Sequence, residues 1–286
     1  MKEIDIREIS RLIPRFSPDH HKGRGGTSLL VAGSVGFAGA AALSATAAYR
    51  SGAGIVRCII PERIYEIVST LIPEAVFSPL GDEETLSESA INEILLREAS
   101  SKAILVGCGL GNNKETKALT KRILKETKIP LILDADGLNC LSDCIEYIAE
   151  RDNTIITPHP GEAARLLGIS VNEIQENREK YARVLAQKTN SVTVLKGHNT
   201  IITSPAGEEC FCPYGNAGMG KGGSGDILAG MITSFVTQGL RLFDAAVLGV
   251  TLHALAGDAA AEKFGQNSML PTDLINALPE VFKKYI

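Results

Sequence analysis

The chain offers no surplus of positive charge: Lys and Arg number 29 against 33 Asp and Glu, for a net charge of −4 and a pI near 5.8. A general positive field able to draw in nucleic acid or an acidic membrane is thereby excluded, so an anionic ligand has to be held locally, by loops. Residues 1–16, MKEIDIREISRLIPRF, alternate charged and apolar groups and lack the continuous apolar stretch of a secretory signal. The most apolar segment, 38–48, is about half the length a bilayer crossing needs and is dominated by alanine, which reads as a tightly packed helix. Six cysteines are too few for a disulfide scaffold at this length, and no CxxC pair supports zinc, so reduced core thiols and a cytoplasmic setting are expected. Repeats, low-complexity tracts and Pro/Ser-rich linkers are missing as well, which favours one continuous domain over 1–286.

What is present is a series of short Val/Ile/Leu runs at 29–32, 55–60, 103–106, 131–133, 154–156 and 192–195. They are apolar without alternation, the pattern of strands covered on both faces. Helical patterns at 38–51, 114–127 and 172–187 separate several of them, which implies an α/β fold with a mostly parallel sheet between helices. From 192 to 212 the order is strand, loop, strand, the turn signal Ser204-Pro205-Ala206-Gly207 and a further β-prone piece, read as a small antiparallel extension. Three long helical patterns, 224–238, 244–264 and 271–284, close the chain.

In open parallel sheets ligands bind outside the carboxyl ends of the strands, and five of the six apolar runs here are followed by unusual residues. Gly33-Ser34 and then Gly36 to Ala41 follow the first run, Gly107-Cys108-Gly109 the third, and Asp134-Ala135-Asp136 the fourth; Thr157-Pro158-His159-Pro160-Gly161-Glu162 and Lys196-Gly197-His198-Asn199-Thr200 follow the next two. The strongest signal is the run Asn216 to Asp226, in which four of the six residues from 220 to 225 are glycine, leading straight into a helical pattern. Such a loop turns free N–H groups and the positive helix end towards an anion, and its glycines allow phosphate to approach the backbone. It lacks the Walker order. Asp226, in the first turn beside that anion site, suits a base that takes a proton from an attacking hydroxyl, with the amides of Gly223, Ser224 and Gly225 as an anion hole. Helix capping by Ser224 or Asp226 is the competing use, and four glycines exceed what one cap needs.

Gly222-Gly223-Ser224-Gly225-Asp226 resembles the GxGD motif of ribokinase-like kinases. Together with Gly-Phe-Ala-Gly-Ala-Ala, Gly-Cys-Gly-Leu-Gly, Asp-Ala-Asp-Gly-Leu-Asn, Thr-Pro-His-Pro-Gly-Glu and Lys-Gly-His-Asn-Thr, it is similar in content and order to the ADP/ATP-dependent NAD(P)H-hydrate dehydratases, over about residues 20 to 260. The resemblance implies a three-layer ribokinase-like fold, a central mostly parallel sheet with helices on both faces. It implies dehydration of hydrated NADH or NADPH (the S epimer) by phosphorylation and loss of phosphate, with ADP or ATP as co-substrate and Mg2+ as cofactor. ADP is favoured, as in stand-alone members without a fused epimerase domain. Lys196, Gly197, His198, Asn199, Thr200 and Gly225 would contact the adenine nucleotide; Asp226 would face the hydrated nicotinamide, with Ala41, Gly109 and His159 completing that pocket. A homotetramer is implied too, and the alanine-rich helix at 38–48 offers a surface for close packing against another subunit. Two departures are mild: Cys108 stands where the family often has proline, and Ser224 where threonine is frequent.

Weighed without the family, His159 lies between two prolines, which leaves a turn histidine or a ligand contact, and Glu162 reads first as a cap of the helix beginning near Pro160. Asp134 and Asp136 are candidates for magnesium through water, with turn capping as the rival for Asp136; the metal ligands stay open. His253 sits in a helical apolar pattern and reads as a satisfied core residue. His20, His21, Lys22 and Arg24 form a basic cluster, read as a solvated loop with phosphate contact as a second use. Two rival functions are a ribokinase-like small-molecule kinase acting on a hydroxymethylpyrimidine, a thiazole alcohol or a sugar, and a nucleotide-binding regulator without catalysis. Retention of Asp226 speaks against the regulator.

Overall fold

A computed structural model describes residues 1–18, 22–23 and 25–285. His20, His21 and Arg24 of the basic cluster lie outside the described residues. The strands are β1 (Lys2–Glu3), β2 (Thr27–Val31), β3 (Ile55–Pro61), β4 (Val76–Leu80), β5 (Ala103–Val106), β6 (Leu131–Leu133), β7 (Thr154–Ile156), β8 (Val192–Leu195), β9 (Thr200–Thr203) and β10 (Glu209–Cys212). They form one sheet in the order β1-β10-β9-β8-β7-β6-β5-β2-β3-β4. Pairing is parallel except where β9 meets β8 and β10, which is the antiparallel extension expected from the sequence. Its turn closes through the Gly207 N–H on the Ser204 carbonyl at 3.1 Å.

Successive residues of a strand point to opposite faces, and both faces are buried. Leu30, Leu105 and Ile132 enter one core, which the helices Ala38–Arg50, Ser224–Thr237, Leu242–Phe264 and Pro271–Tyr285 complete. Leu29, Val31, Ile104, Val106, Leu131 and Leu133 enter the other, under the helices Ile91–Glu98, Lys114–Glu126, Pro160–Leu167 and Arg178–Thr189. The result is the expected three-layer ribokinase-like architecture. Leu242–Phe264 is long and apolar enough to cross a bilayer, and 67% of its most apolar window is buried inside the protein.

The alanine-rich helix spends its small face within the chain rather than on another subunit. Ala41, Ala45, Ala47 and Ala48 are fully buried, and the neighbouring helix Ser224–Thr237 comes so close that a Cβ on Gly230 would stand 2.1 Å from the Ser44 carbonyl oxygen. The pattern read as one helix at 172–187 is two, Val171–Glu176 and Arg178–Thr189, broken at Asn177, whose ψ of 44° is not helical. Strands β1 and β4 escaped the apolar-run criterion: β1 has two exposed residues, and β4 carries Pro79, tolerated because β4 is an edge.

Candidate active site

The sheet reverses its direction of growth between β2 and β5: β3 and β4 extend it one way, β6, β7 and β8 the other. Loops after strands converge at such a point. Gly107 and Gly109 follow β5 with φ of 126° and 63°, and a Cβ on Gly107 would stand 1.9 Å from the Asp134 carbonyl oxygen, so this turn is limited to glycine. A Cβ on Gly109 would meet Phe37 and Ala40 at 2.8 Å.

Beside this point opens a cavity of about 900 Å³. One wall is formed by Asn216, Ala217 and the run from Met219 to Asp226. Asn216 and Asp258 anchor that run: Asp258 accepts from the Gly215 N–H at 2.9 Å and from the Asn216 amide at 3.0 Å. Lys221 donates to the Asn267 carbonyl at 2.9 Å and to Met269, so its ammonium holds the loop. Gly223 has φ of 106° and would place a Cβ 2.7 Å from Leu43, whereas Gly225 lies inside the helix Ser224–Thr237 and has no such constraint; its use is space alone. Of the three amides assigned to the anion hole, Ser224 donates back to the Lys221 carbonyl at 3.2 Å. The Ser224 hydroxyl is buried with no hydrogen-bond partner among the described residues.

Asp226 stands among polar groups from three other segments. Burial, reinforced by Asp134, pushes its carboxyl up to about 7, against the pull of Cys108 and Lys196 towards ionisation. Lys196, after β8, reaches Asp134 at 2.6 Å and Glu162 at 3.7 Å. Burial works against its charge, but Asp134 and Glu162 outweigh burial and hold the ammonium protonated. A Cβ on Gly225 would lie 3.4 Å from the Lys196 ammonium, which places that cation beside the glycine-rich turn. Asp134 also accepts from the Thr157 hydroxyl at 2.7 Å.

His159 turns out to be both cap and cavity wall. Its Nδ1 accepts from the Gly161 and Glu162 amides at 2.9 and 3.4 Å, and Glu162 accepts from the His159 N–H at 2.7 Å, a reciprocal capping box at the start of Pro160–Leu167. Burial and then Lys196 lower the pKa of His159, so the ring is neutral with its proton on Nε2, half-exposed at the cavity. His253 is the satisfied core histidine expected: its Nε2 lies 2.9 Å from the Ser224 carbonyl, and burial pushes it down to about 4.

The cavity thus gathers Lys196, Gly197, His198, Thr200, Gly223, Ser224, Gly225, Asp226 and His159. Asn199, exposed with φ of 54°, is not in its wall. Ala41 and Gly109 are not in its wall, and both are buried. Arg178 was missed from sequence; its guanidinium donates to the Leu195 and Lys196 carbonyls at 3.1 and 3.3 Å and fixes the Lys196 turn.

The residues present do not make a magnesium cage. Cys108 Sγ and the carboxylates of Asp134 and Asp226 lie within 4.8 Å of one another, but burial keeps the thiol protonated and Asp134 is already engaged by Lys196 and Thr157. Magnesium requires near-octahedral oxygen ligands. Asp136 accepts from the Gly111 N–H at 2.9 Å and so ties the segment after β6 to the loop after β5 instead of capping its own turn.

Comparison with known proteins supplies the family. A family model described as NAD(P)H-hydrate dehydratase matches residues 28–280. The bifunctional NAD(P)H-hydrate repair enzyme of Moorella thermoacetica is 39% identical over 274 residues; these cover 95% of this chain and 52% of that protein, so the chain spans about half the length of such relatives. The ADP-dependent (S)-NAD(P)H-hydrate dehydratase of Neisseria meningitidis is 39% identical over 251 residues, 86% of this chain and 81% of that one. Among solved structures, the ADP/ATP-dependent NAD(P)H-hydrate dehydratase of Bacillus subtilis, co-crystallised with ATP and Mg2+, superposes with a TM-score of 0.85 at 30% identity, covering 100% of this chain and 99% of that one. The fold, the glycine-rich turn ending in Asp226 and these matches agree: the chain belongs to the NAD(P)H-hydrate dehydratase family.

Proposed function

We propose that this chain restores hydrated NADH or NADPH, as the S epimer, to NAD(P)H, consuming ADP or ATP. The observation that carries the reading is Asp226: a carboxyl pushed up to about 7, at the N-terminal turn of a helix, beside Gly225 and the Lys196 ammonium in a cavity of about 900 Å³. A base with a pKa near the working pH combines availability with proton affinity.

The hydroxyl on the hydrated ring is a poor leaving group. Asp226 takes its proton while the oxygen attacks the terminal phosphoryl group, and the nucleotide departs as AMP from ADP or as ADP from ATP. The N–H groups of the glycine-rich turn and the Lys196 ammonium stabilise the charge on the transferring group. The C–O bond then breaks as the ring nitrogen supplies its electron pair, releasing phosphate, and loss of a proton from the adjacent ring carbon restores the double bond of the reduced ring. Lys196, Gly197, His198, Asn199, Thr200 and Gly225 serve the nucleotide; Ala41, Gly109 and His159 serve the dinucleotide. Magnesium belongs to this reading as a companion of the nucleotide phosphates, and ADP as the favoured nucleotide. One continuous sheet supports a single domain over 1–286. Six buried free thiols support a reducing, cytoplasmic setting. Exposed Tyr65, Ile67, Leu71 and Val76 support an assembling surface, which we assign to the homotetramer.

The test is incubation with ADP and hydrated NADH while absorbance of the reduced nicotinamide is followed. Recovery of absorbance with stoichiometric AMP and phosphate is expected. A stable phosphorylated acceptor, formed from a pyrimidine or thiazole alcohol without that recovery, would identify a small-molecule kinase instead.

A further inference from the structure

Cys108 lies between two left-handed glycines, Gly107 and Gly109, with φ of 126° and 63°. Neither glycine has room for a side chain, so the backbone that aims Cys108 is fixed. The side chain is fully buried, and its sulfur shares a space of 4.8 Å with the carboxylates of Asp134 and Asp226. Asp134 has partners of its own in Lys196 and Thr157, at 2.6 and 2.7 Å. Asp226 faces the thiol across this space.

We propose that Cys108 is a positioning residue for Asp226, its buried S–H facing the carboxylate and keeping it ionised and turned towards the cavity. The inference rests on Asp226 being the base. Burial, together with Asp226 and Asp134, keeps the thiol protonated, so it acts as a donor and not as a nucleophile. The groups facing Asp226 divide by sign. Asp134 and Asp136 from the segment after β6 oppose its ionisation; Cys108 from the segment after β5 and Lys196 from that after β8 favour it. His253, from the helix Leu242–Phe264, is neutral and spends its ring on the Ser224 carbonyl.

The experiment compares pH profiles of kcat/KM for wild type, Cys108→Ala and Cys108→Ser, with ADP and hydrated NADH as substrates and thermal melts alongside. Wild type should show an acid limb at about 7, where burial and Asp134 hold the Asp226 carboxyl. Removing the donor favours the protonated base, so the Cys108→Ala limb should rise by about half a unit or more, which is about threefold lower relative activity well below the limb. The serine hydroxyl restores a donor, and its limb should return below that of alanine. Superimposable limbs in all three proteins, whatever their melting temperatures, would overturn the proposal while leaving Asp226 as base. A wild-type profile without such a limb would remove the Asp226 reading and this one with it. Should the alanine variant not fold, the serine variant decides: a limb at or below wild type supports the donor role, and one above it contradicts that role.

Discussion

Asp226 is set where its charge costs stability. Its carboxyl ionises at an ordinary value of 3.8 in the unfolded chain and at about 7 in the folded one, because burial and Asp134 oppose the charge. Between those values the folded protein holds a proton that the unfolded one has given up, so stability falls as pH rises through this window. Each unit of difference corresponds to about 1.4 kcal/mol. Asp226→Asn removes that penalty, and its melting temperature should exceed that of wild type by several degrees at about pH 8, with the advantage shrinking towards about pH 4. Equal melting curves across the range would show that the carboxyl is not held against its charge. His159 presents the opposite balance, since Nδ1 closes a capping box. His159→Ala should lose about 1 kcal/mol with the cap and raise KM for hydrated NAD(P)H more than for ADP. Asparagine caps without a ring, so His159→Asn should recover the melting temperature and leave the KM defect; recovery of both would assign His159 to structure alone. The sequence showed that two prolines constrain this histidine, but not that Nδ1 would cap the helix while Nε2 lay 3.4 Å from the Glu162 carboxylate.

At the scale of elements, the helix pair Ala38–Arg50 and Ser224–Thr237 positions the site, because the second helix begins at the glycine-rich turn. They pack closely at Gly230, where a Cβ would stand 2.1 Å from the Ser44 carbonyl oxygen, a backbone atom. Gly230→Ala should therefore destabilise by about 1–3 kcal/mol, as overpacked cores do, measured by chemical denaturation; an unchanged midpoint would mean that the helices can separate freely. Gly225→Val tests the other end of that helix. The backbone there is ordinary, and a Cβ at 3.4 Å from the Lys196 ammonium is tolerated, so folding should survive while the branched methyls crowd the anion site and weaken nucleotide affinity. Unchanged affinity by calorimetry would move the anion site elsewhere. Most elements were legible because their chemistry is local: β5, β6, β7 and β8 match the apolar runs to the residue. Asn177 was not, since a mid-pattern asparagine signals a break only once the packing on either side is known.

Over the whole molecule, the strand–helix alternation gave the layers and the loop positions gave the end of the sheet that carries the site. Pairings across it were invisible in sequence. Lys196 and Asp134 stand 62 residues apart and meet at 2.6 Å because β6, β7 and β8 are neighbours in the sheet, and Cys108 meets Asp226 only after the Ser224–Thr237 helix docks over β5. The account's central claim is that this assembled cavity uses Asp226 as the base of an adenine-nucleotide-dependent dehydration. The most direct measurement is single-turnover and steady-state recovery of reduced nicotinamide by Asp226→Asn, with nucleotide affinity measured on the same protein. The amide keeps size and loses the proton acceptor, so turnover should fall by about 10²–10⁴-fold while nucleotide affinity stays within several-fold of wild type. Turnover at the wild-type rate in a folded Asp226→Asn protein would contradict the claim.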